Sequence, residues 1–261
     1  TNFWRAPIDN DYGNNLPLRS KEWKTASNNR EFVSINHTRI DANLIEVVVN
    51  FSLNNIDSSN KLTYLINSKG VLKVKNEFTY SGSLKDAQMP RFGMNFTMPK
   101  NYKNIVWYGR GPHENYIDRK SSAFVGLYEN LVEDLDFEYS RPQENGYRTD
   151  VRWFRALNEN NIGFEIKGEP LISFSAHYNT IEDFDDGLRP NNPGEKVGTR
   201  KRIIKKQRKP IDVPKRDFIS LNIDLKQMGV GGDNSWGART LPKYTINPGN
   251  YTYSFTISPV N

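Results

Sequence analysis

Leu62-Thr63-Tyr64-Leu65-Ile66, a Ser68-Lys69-Gly70 turn, then Val71-Leu72-Lys73-Val74-Lys75-Asn76-Glu77-Phe78-Thr79-Tyr80: this stretch decides the fold. Apolar and polar residues alternate in the second run with the period of two that a half-buried strand requires. Lys69-Gly70 between the two runs predicts a hairpin. Leu44-Ile45-Glu46-Val47-Val48-Val49-Asn50-Phe51-Ser52-Leu53 reads as a strand on the N-terminal side. Further strands are predicted over 91–98, 105–108, 123–128, 149–157, 162–167, 171–176, 218–225 and 251–257, with Asn160-Asn161 marking a second hairpin. His37 falls in another alternating segment. Val, Ile, Phe, Tyr and Thr dominate these runs, as pleated surfaces favour. Only Thr180-Ile181-Glu182-Asp183-Phe184 reads as helix, with Thr180 as N-cap and acids in the first turn. Many strands, short turns and very little helix predict an all-β, antiparallel sandwich or barrel.

The chain has 261 residues, 36% of them hydrophobic, enough for one large β domain. A single domain over 1–261 is expected, with a lead-in over 1–30 and a long basic loop over 185–214. No run approaches the roughly 18 apolar residues of a membrane span, and mean hydropathy is −0.74, so no membrane partner is expected. Thr1-Asn2-Phe3-Trp4-Arg5 is neither an initiator methionine nor a signal peptide, which predicts a piece of a longer polypeptide. The chain has no cysteine, which excludes disulfides, thiol catalysis and Cys-zinc sites but leaves cytoplasm and bacterial periplasm both open.

The net charge of +6 is concentrated in Arg200, Lys201, Arg202, Lys205, Lys206, Arg208, Lys209, Lys215 and Arg216. A nucleic-acid contact would need helical periodicity, interleaved aromatics or a recognition motif. None is present, so the stretch reads as a solvated loop or a contact with an acidic neighbouring domain.

Met228-Gly229-Val230-Gly231-Gly232-Asp233-Asn234-Ser235-Trp236-Gly237 mounts a tryptophan on a glycine-rich loop. Glycines permit φ > 0 and a close approach of another surface, and Asp233, Asn234 and Ser235 favour turns. An indole so displayed suits the C–H face of a pyranose, or it caps the core beneath a folded-back loop. Ionisable residues gather in Tyr108-Gly109-Arg110-Gly111-Pro112-His113-Glu114-Asn115-Tyr116-Ile117-Asp118-Arg119 and in Arg141-Pro142-Gln143-Glu144-Asn145-Gly146-Tyr147-Arg148. Glu114 and Glu144 would be the carboxylate pair of a glycosidase only if held about 5 to 9.5 Å apart. Nearby arginines favour the ionised carboxylate, which suits a salt-bridge network better than a general acid. His113 and His177 could serve as acid and base in an aldose epimerisation. No metal site, phosphate-binding loop or nucleophile elbow is formed by the motifs present.

These blocks, with Phe3-Trp4-Arg5-Ala6-Pro7-Ile8-Asp9-Asn10-Asp11-Tyr12-Gly13 and Pro142-Gln143-Glu144-Asn145-Gly146, resemble the C-terminal, small-chain domain of bacterial β-galactosidases of glycoside hydrolase family 2. The resemblance implies a galactose mutarotase-like β-supersandwich that comes after a (β/α)8 catalytic barrel in one polypeptide. The barrel would supply both catalytic glutamates and bind Mg and Na, leaving no cofactor and no catalytic residue here. Trp236, with Asp233, Asn234 and Ser235, would contact the β-galactoside substrate. His113, Glu114, Arg119 and Glu144 would support the pocket, Asp118 would tie loops together, and Arg5, Pro7, Asp9 and Asp11 would anchor the lead-in. The full enzyme would be a homo-oligomer that hydrolyses β-galactosides such as lactose by double displacement. Where the family often carries histidine before the tryptophan loop, this chain reads Arg208-Lys209-Pro210-Ile211-Asp212. Pro90-Arg91-Phe92-Gly93-Met94-Asn95-Phe96 lacks the histidine of true mutarotases. A free-standing carbohydrate-binding module and an aldose mutarotase or epimerase are the rival functions.

Overall fold

The computed structural model describes residues 1–82, 84, 87–185, 209–232, 234 and 237–261. Eleven strands form one antiparallel system among these residues: β1 (Glu31–Asp41), β2 (Leu44–Leu53), β3 (Ser58–Asn67), β4 (Leu72–Tyr80), β5 (Arg91–Pro99), β6 (Asn104–Gly111), β7 (Phe124–Leu131), β8 (Arg148–Leu157), β9 (Gly163–His177), β10 (Phe218–Gln227) and β11 (Tyr251–Val260). The main path runs β1-β2-β3-β4-β11-β9-β8-β6-β7, and β10 joins β5 to β9. The all-β, antiparallel expectation is met.

The topology turns on β9. Its first half, Gly163 to Glu169, pairs with β11, and its second half, Ser173 to His177, pairs with β10. The change of partner falls at Gly168-Glu169-Pro170. Pro170 has no N–H for the ladder, and a Cβ on Gly168 would lie 2.5 Å from Ile172 Cγ2. The two predicted strands at 162–167 and 171–176 are therefore one strand serving two layers. β5 and β10 fold over β4 and β11, where Phe92 meets Phe78 at 5.8 Å and Tyr253 at 5.7 Å between ring centroids. The Tyr253 hydroxyl donates to the Ile223 carbonyl across the layers.

Both predicted hairpins form. Gly70 has φ +76, and Asn67 Oδ1 accepts from Lys69 N and Val71 N. Asn161 has φ 60, and Asn158 Oδ1 accepts from Asn160 N and Ile162 N.

The lead-in departs from expectation by coiling into three short helices, α1 (Asp9–Gly13), α2 (Leu16–Arg19) and α3 (Lys21–Ala26). Helices this short do not stand alone in water. Burial of Leu16 and Trp23 holds them, and Trp23 Nε1 donates to the Ala87 carbonyl at 2.9 Å. Phe3 is wholly buried, 5.0 Å from Phe78 between ring centroids, so the lead-in is part of the core. A fourth helix beyond the sequence expectation is α4 (Val132–Leu135). The expected α5 (Ile181–Phe184) carries a Thr180 cap: Thr180 Oγ1 accepts from Asp183 N, and Asp183 Oδ2 accepts from Thr180 N. No helix among the described residues is long and apolar enough to cross a membrane.

Candidate functional site

The root of the tryptophan loop leaves β10 as an extended, irregular segment, yet every backbone N–H and C=O from Met228 to Gly231 has a partner. Met228 N donates to Pro90 O and Gly229 N to Tyr244 O. Asp118 accepts the next two amides, Val230 N on Oδ1 at 3.1 Å and Gly231 N on Oδ2 at 2.7 Å. Arg5 donates to the carbonyls of Met228 and Gly229, Asn10 to that of Val230, and Thr240 to those of Gly229 and Gly231. Arg5 itself is wholly buried and grips Asp11 in a fork, Nε to Oδ2 at 3.0 Å and Nη2 to Oδ1 at 2.9 Å. A buried, forked pair of this kind is strongly directional.

The glycines here serve close approach rather than φ > 0. Among the described glycines of this loop only Gly237 takes a positive φ, +114. A Cβ on Gly229 would meet the Asp118 carboxyl at 2.5 Å, and one on Gly237 would meet the Gly13 carbonyl at 2.4 Å. The loop is thereby closed against the end of α1. Asn234 is exposed between the two. Asp233, Ser235 and Trp236 lie outside the described residues, as does the Arg200 to Arg208 part of the basic stretch.

Beside the loop root lies a concavity of about 250 Å³ whose walls include Asp9, Asn10, Tyr116, Arg119, Glu144 and Val230. Glu114 is buried just behind it and accepts from Arg119, from the Tyr139 hydroxyl and, on Oε2, from Gly146 N at 2.8 Å. Burial first, then the bond to Glu114, raises the Tyr139 pKa. Glu144 accepts from Arg91 Nη2 at 2.9 Å and Gln227 Nε2 at 3.2 Å. Glu114 is thus engaged at both oxygens and Glu144 at Oε1, an arrangement that fixes the loops around them. Gln143 exchanges hydrogen bonds with Asp9, which ties the 141–146 loop to the lead-in.

Behind Glu144 the wholly buried Arg91 pairs with the wholly buried Asp224, Nε to Oδ2 at 3.0 Å. Burial pushes the Asp224 carboxyl up to about 7, with Arg91 pulling against it. For Arg91, burial alone would lower the pKa, but Asp224 and Glu144 together raise it, so the guanidinium stays cationic. Arg148 caps three carbonyls, those of Pro112, Leu135 and Gly146, and burial lowers its pKa to about 10. The Arg91–Asp224 pair escaped sequence reasoning. Its signal was the charged residue inside a strand opposite a glycine: Gly93 pairs with Asp224, and a Cβ there would fall 1.8 Å from Oδ1.

The histidines are placed apart from the concavity's lining. His113 is exposed and meets Ser122 Oγ at 3.1 Å. His177 is buried with Nδ1 against Asp136 Oδ1 at 2.5 Å. Arg216, at the end of the basic stretch, forks onto Asp183. Among the described residues no three His, Asp or Glu side chains stand together as a metal site.

Comparison with known proteins gives these residues a lineage. The family model "Beta galactosidase small chain" matches residues 1–257. A β-galactosidase of Priestia megaterium is 35% identical over 260 residues, covering 99% of this chain and 23% of the relative. One from Halalkalibacterium halodurans is 31% identical over 250 residues, covering 94% and 22%. The chain therefore spans under a quarter of the length of these relatives. Among solved structures, an α-galactosidase from Lactobacillus brevis aligns over 89% of this chain and 27% of its own, at 9% identity and a TM-score of 0.44. A putative aldose 1-epimerase from Escherichia coli K12 aligns over 87% and 69%, at 11% identity and 0.39. On the family match, which runs through the Arg5, Glu114, Glu144 and Met228 blocks alike, the chain belongs to the β-galactosidase small chain family.

Proposed function

We propose that this chain is the part of a β-galactosidase that closes the galactoside pocket from one side and carries no catalytic carboxylate. Trp236 is the stacking face for the sugar or its aglycone, flanked by Asp233, Asn234 and Ser235. The concavity beside Val230, with Glu114, Arg119 and Glu144 as its fixed frame, is the wall. A (β/α)8 barrel earlier in the same polypeptide supplies the nucleophile and the acid/base of a double displacement, and holds Mg and Na. The full-length protein is a homo-oligomer in this reading.

The observation that supports it is the complete hydrogen bonding of the 228–231 backbone. An irregular segment fixed at every polar group loses little further entropy when a ligand meets it, as a preformed wall should. The donors already bound to Glu114 and Glu144 support a loop-fixing role for both rather than chemistry within the chain itself.

The test is to incubate the isolated chain with nitrophenyl β-galactoside beside the full-length protein. The expected outcome is release of nitrophenol by the full-length protein alone. Turnover by the isolated chain would refute the division of labour. Accelerated galactose anomer exchange by the isolated chain, read by polarimetry, would point to the mutarotase reading instead.

A further inference from the structure

Facing residues in an antiparallel ladder share one side of the sheet. Across β1 to β3 one side is apolar: Phe32 stands opposite Phe51, Ile35 opposite Val49, and Ile45 opposite Ile66. Val74 and Phe78 continue that side on β4. The reverse side is polar, with Asn50, Lys61 and Glu77 in one row. Cover on the apolar side ends part-way across. Val74 and Phe78 are buried, whereas Phe32 is 62% exposed, Ile35 58%, and Ile45 and Ile66 42% each. β1 is also an edge strand, paired among the described residues with β2 alone. A long edge strand with an open apolar face is a template for aggregation unless something lies on it.

The path of the lead-in identifies that cover. Asn2 bridges to Gly93 of β5, in the layer that folds over β4 and β11. One residue earlier, Thr1 Oγ1 donates to Asn60 Oδ1 on β3. Asn60 stands in the row between Phe51 and Phe78, on the apolar side. Followed backwards from Asn2 to Thr1, the backbone therefore moves from the covered part of the face towards the open part over β2 and β1. Ser27 Oγ donates to the Thr1 carbonyl at 2.6 Å and fixes that direction. The matched β-galactosidases of Priestia megaterium and Halalkalibacterium halodurans are far longer, since this chain covers 23% and 22% of them. Polypeptide joined ahead of Thr1 is delivered straight onto the uncovered apolar face.

We infer that the apolar face of β1 to β3 is the seat of an apolar surface from the part of the same polypeptide that precedes Thr1. Burying Phe32, Ile35, Ile45 and Ile66 there supplies the hydrophobic contact that holds this domain to its neighbour. The inference rests on the longer polypeptide of the proposed function but not on Trp236 or the galactoside pocket, so lactose kinetics and the test below fail independently.

The experiment is photo-crosslinking of the full-length protein with Ile35 replaced by p-benzoylphenylalanine, followed by gel electrophoresis and mass spectrometry of the digested product. The expected product keeps the mass of a single polypeptide and joins position 35 to a peptide ahead of residue 1. The same probe at Asn36, which faces Val48 on the reverse side, should give little of it. A product of doubled mass would overturn the inference in favour of a second copy on this face. A cross-link within residues 1–261 would mean that the chain covers itself, and would overturn it too. So would the absence of any product, which is the result for a face open to water, or equal yields from positions 35 and 36. Should the Ile35 variant fold poorly, the probe at Ile45 replaces it, and the same outcomes decide.

Discussion

Single residues in this chain carry two different burdens. Arg5, Asp11 and Asp118 are polar side chains used to fix a backbone, and the sequence blocks around them are legible because charged residues crowd outside strand patterns. Arg91 and Asp224 are charges inside strands, where alternation reveals the strand but not a buried pair. Asp224 makes a pH prediction. Its carboxyl is raised from 3.8 to about 7 by burial, so the folded state binds more protons than the unfolded state across that window. The stability it contributes is present in full below the lower value and is lost as pH rises through the upper one. Asp224→Asn mimics the protonated form. Urea unfolding below and above the window should show wild type losing stability relative to the variant as pH rises. An unchanged difference would mean that Arg91 keeps Asp224 ionised throughout.

Among elements, periodicity finds the half-buried segments and misses the others. The segment around His37, read as alternating, belongs to an eleven-residue strand, β1, almost wholly exposed, so no buried face marks its bounds. The helices α1, α2 and α3 are too short for a 3.6-residue period to show, and burial of Leu16 and Trp23 rather than propensity creates them. The split of β9 into two predicted strands has a physical source in Gly168-Glu169-Pro170, since those residues do break its alternation where its partner changes from β11 to β10. The β5–β10 pairing carries its own prediction. Gly93 stands opposite Asp224, and an added Cβ would fall 1.8 Å from the carboxylate. Gly93→Ala must push that group away from Arg91, combining overpacking with damage to a buried ion pair, a loss of about 3 kcal/mol or more. Thermal melting should drop accordingly. A melting temperature within a degree or so of wild type, on the order of ordinary surface changes, would show that the strands slide apart without cost.

At the scale of the molecule, one apolar core joins the lead-in to both layers, with Phe3, Phe78, Phe92 and Tyr253 in the same cluster. The root of the glycine-rich loop, the 116–119 turn and the 141–146 loop meet around the concavity beside Val230. Sequence blocks far apart in the chain are legible as one family signature, but that Asp9 meets Gln143, and Asp118 meets Val230, is long-range geometry that no local spacing encodes. In the proposed reading this concavity is one wall of a site, with Glu114 and Glu144 engaged by the donors around them. Family membership and the shared quarter-length with far longer β-galactosidases support the same division.

The most direct test of that claim is lactose hydrolysis by the full-length protein with Trp236→Ala. Stacking on a sugar is worth on the order of 1 kcal/mol, so the lactose KM should rise about fivefold while the nucleophile and acid, which the proposal assigns to a barrel outside this chain, continue to turn over bound substrate. Lactose kinetics indistinguishable from wild type would remove this chain's loop from the pocket and contradict the account.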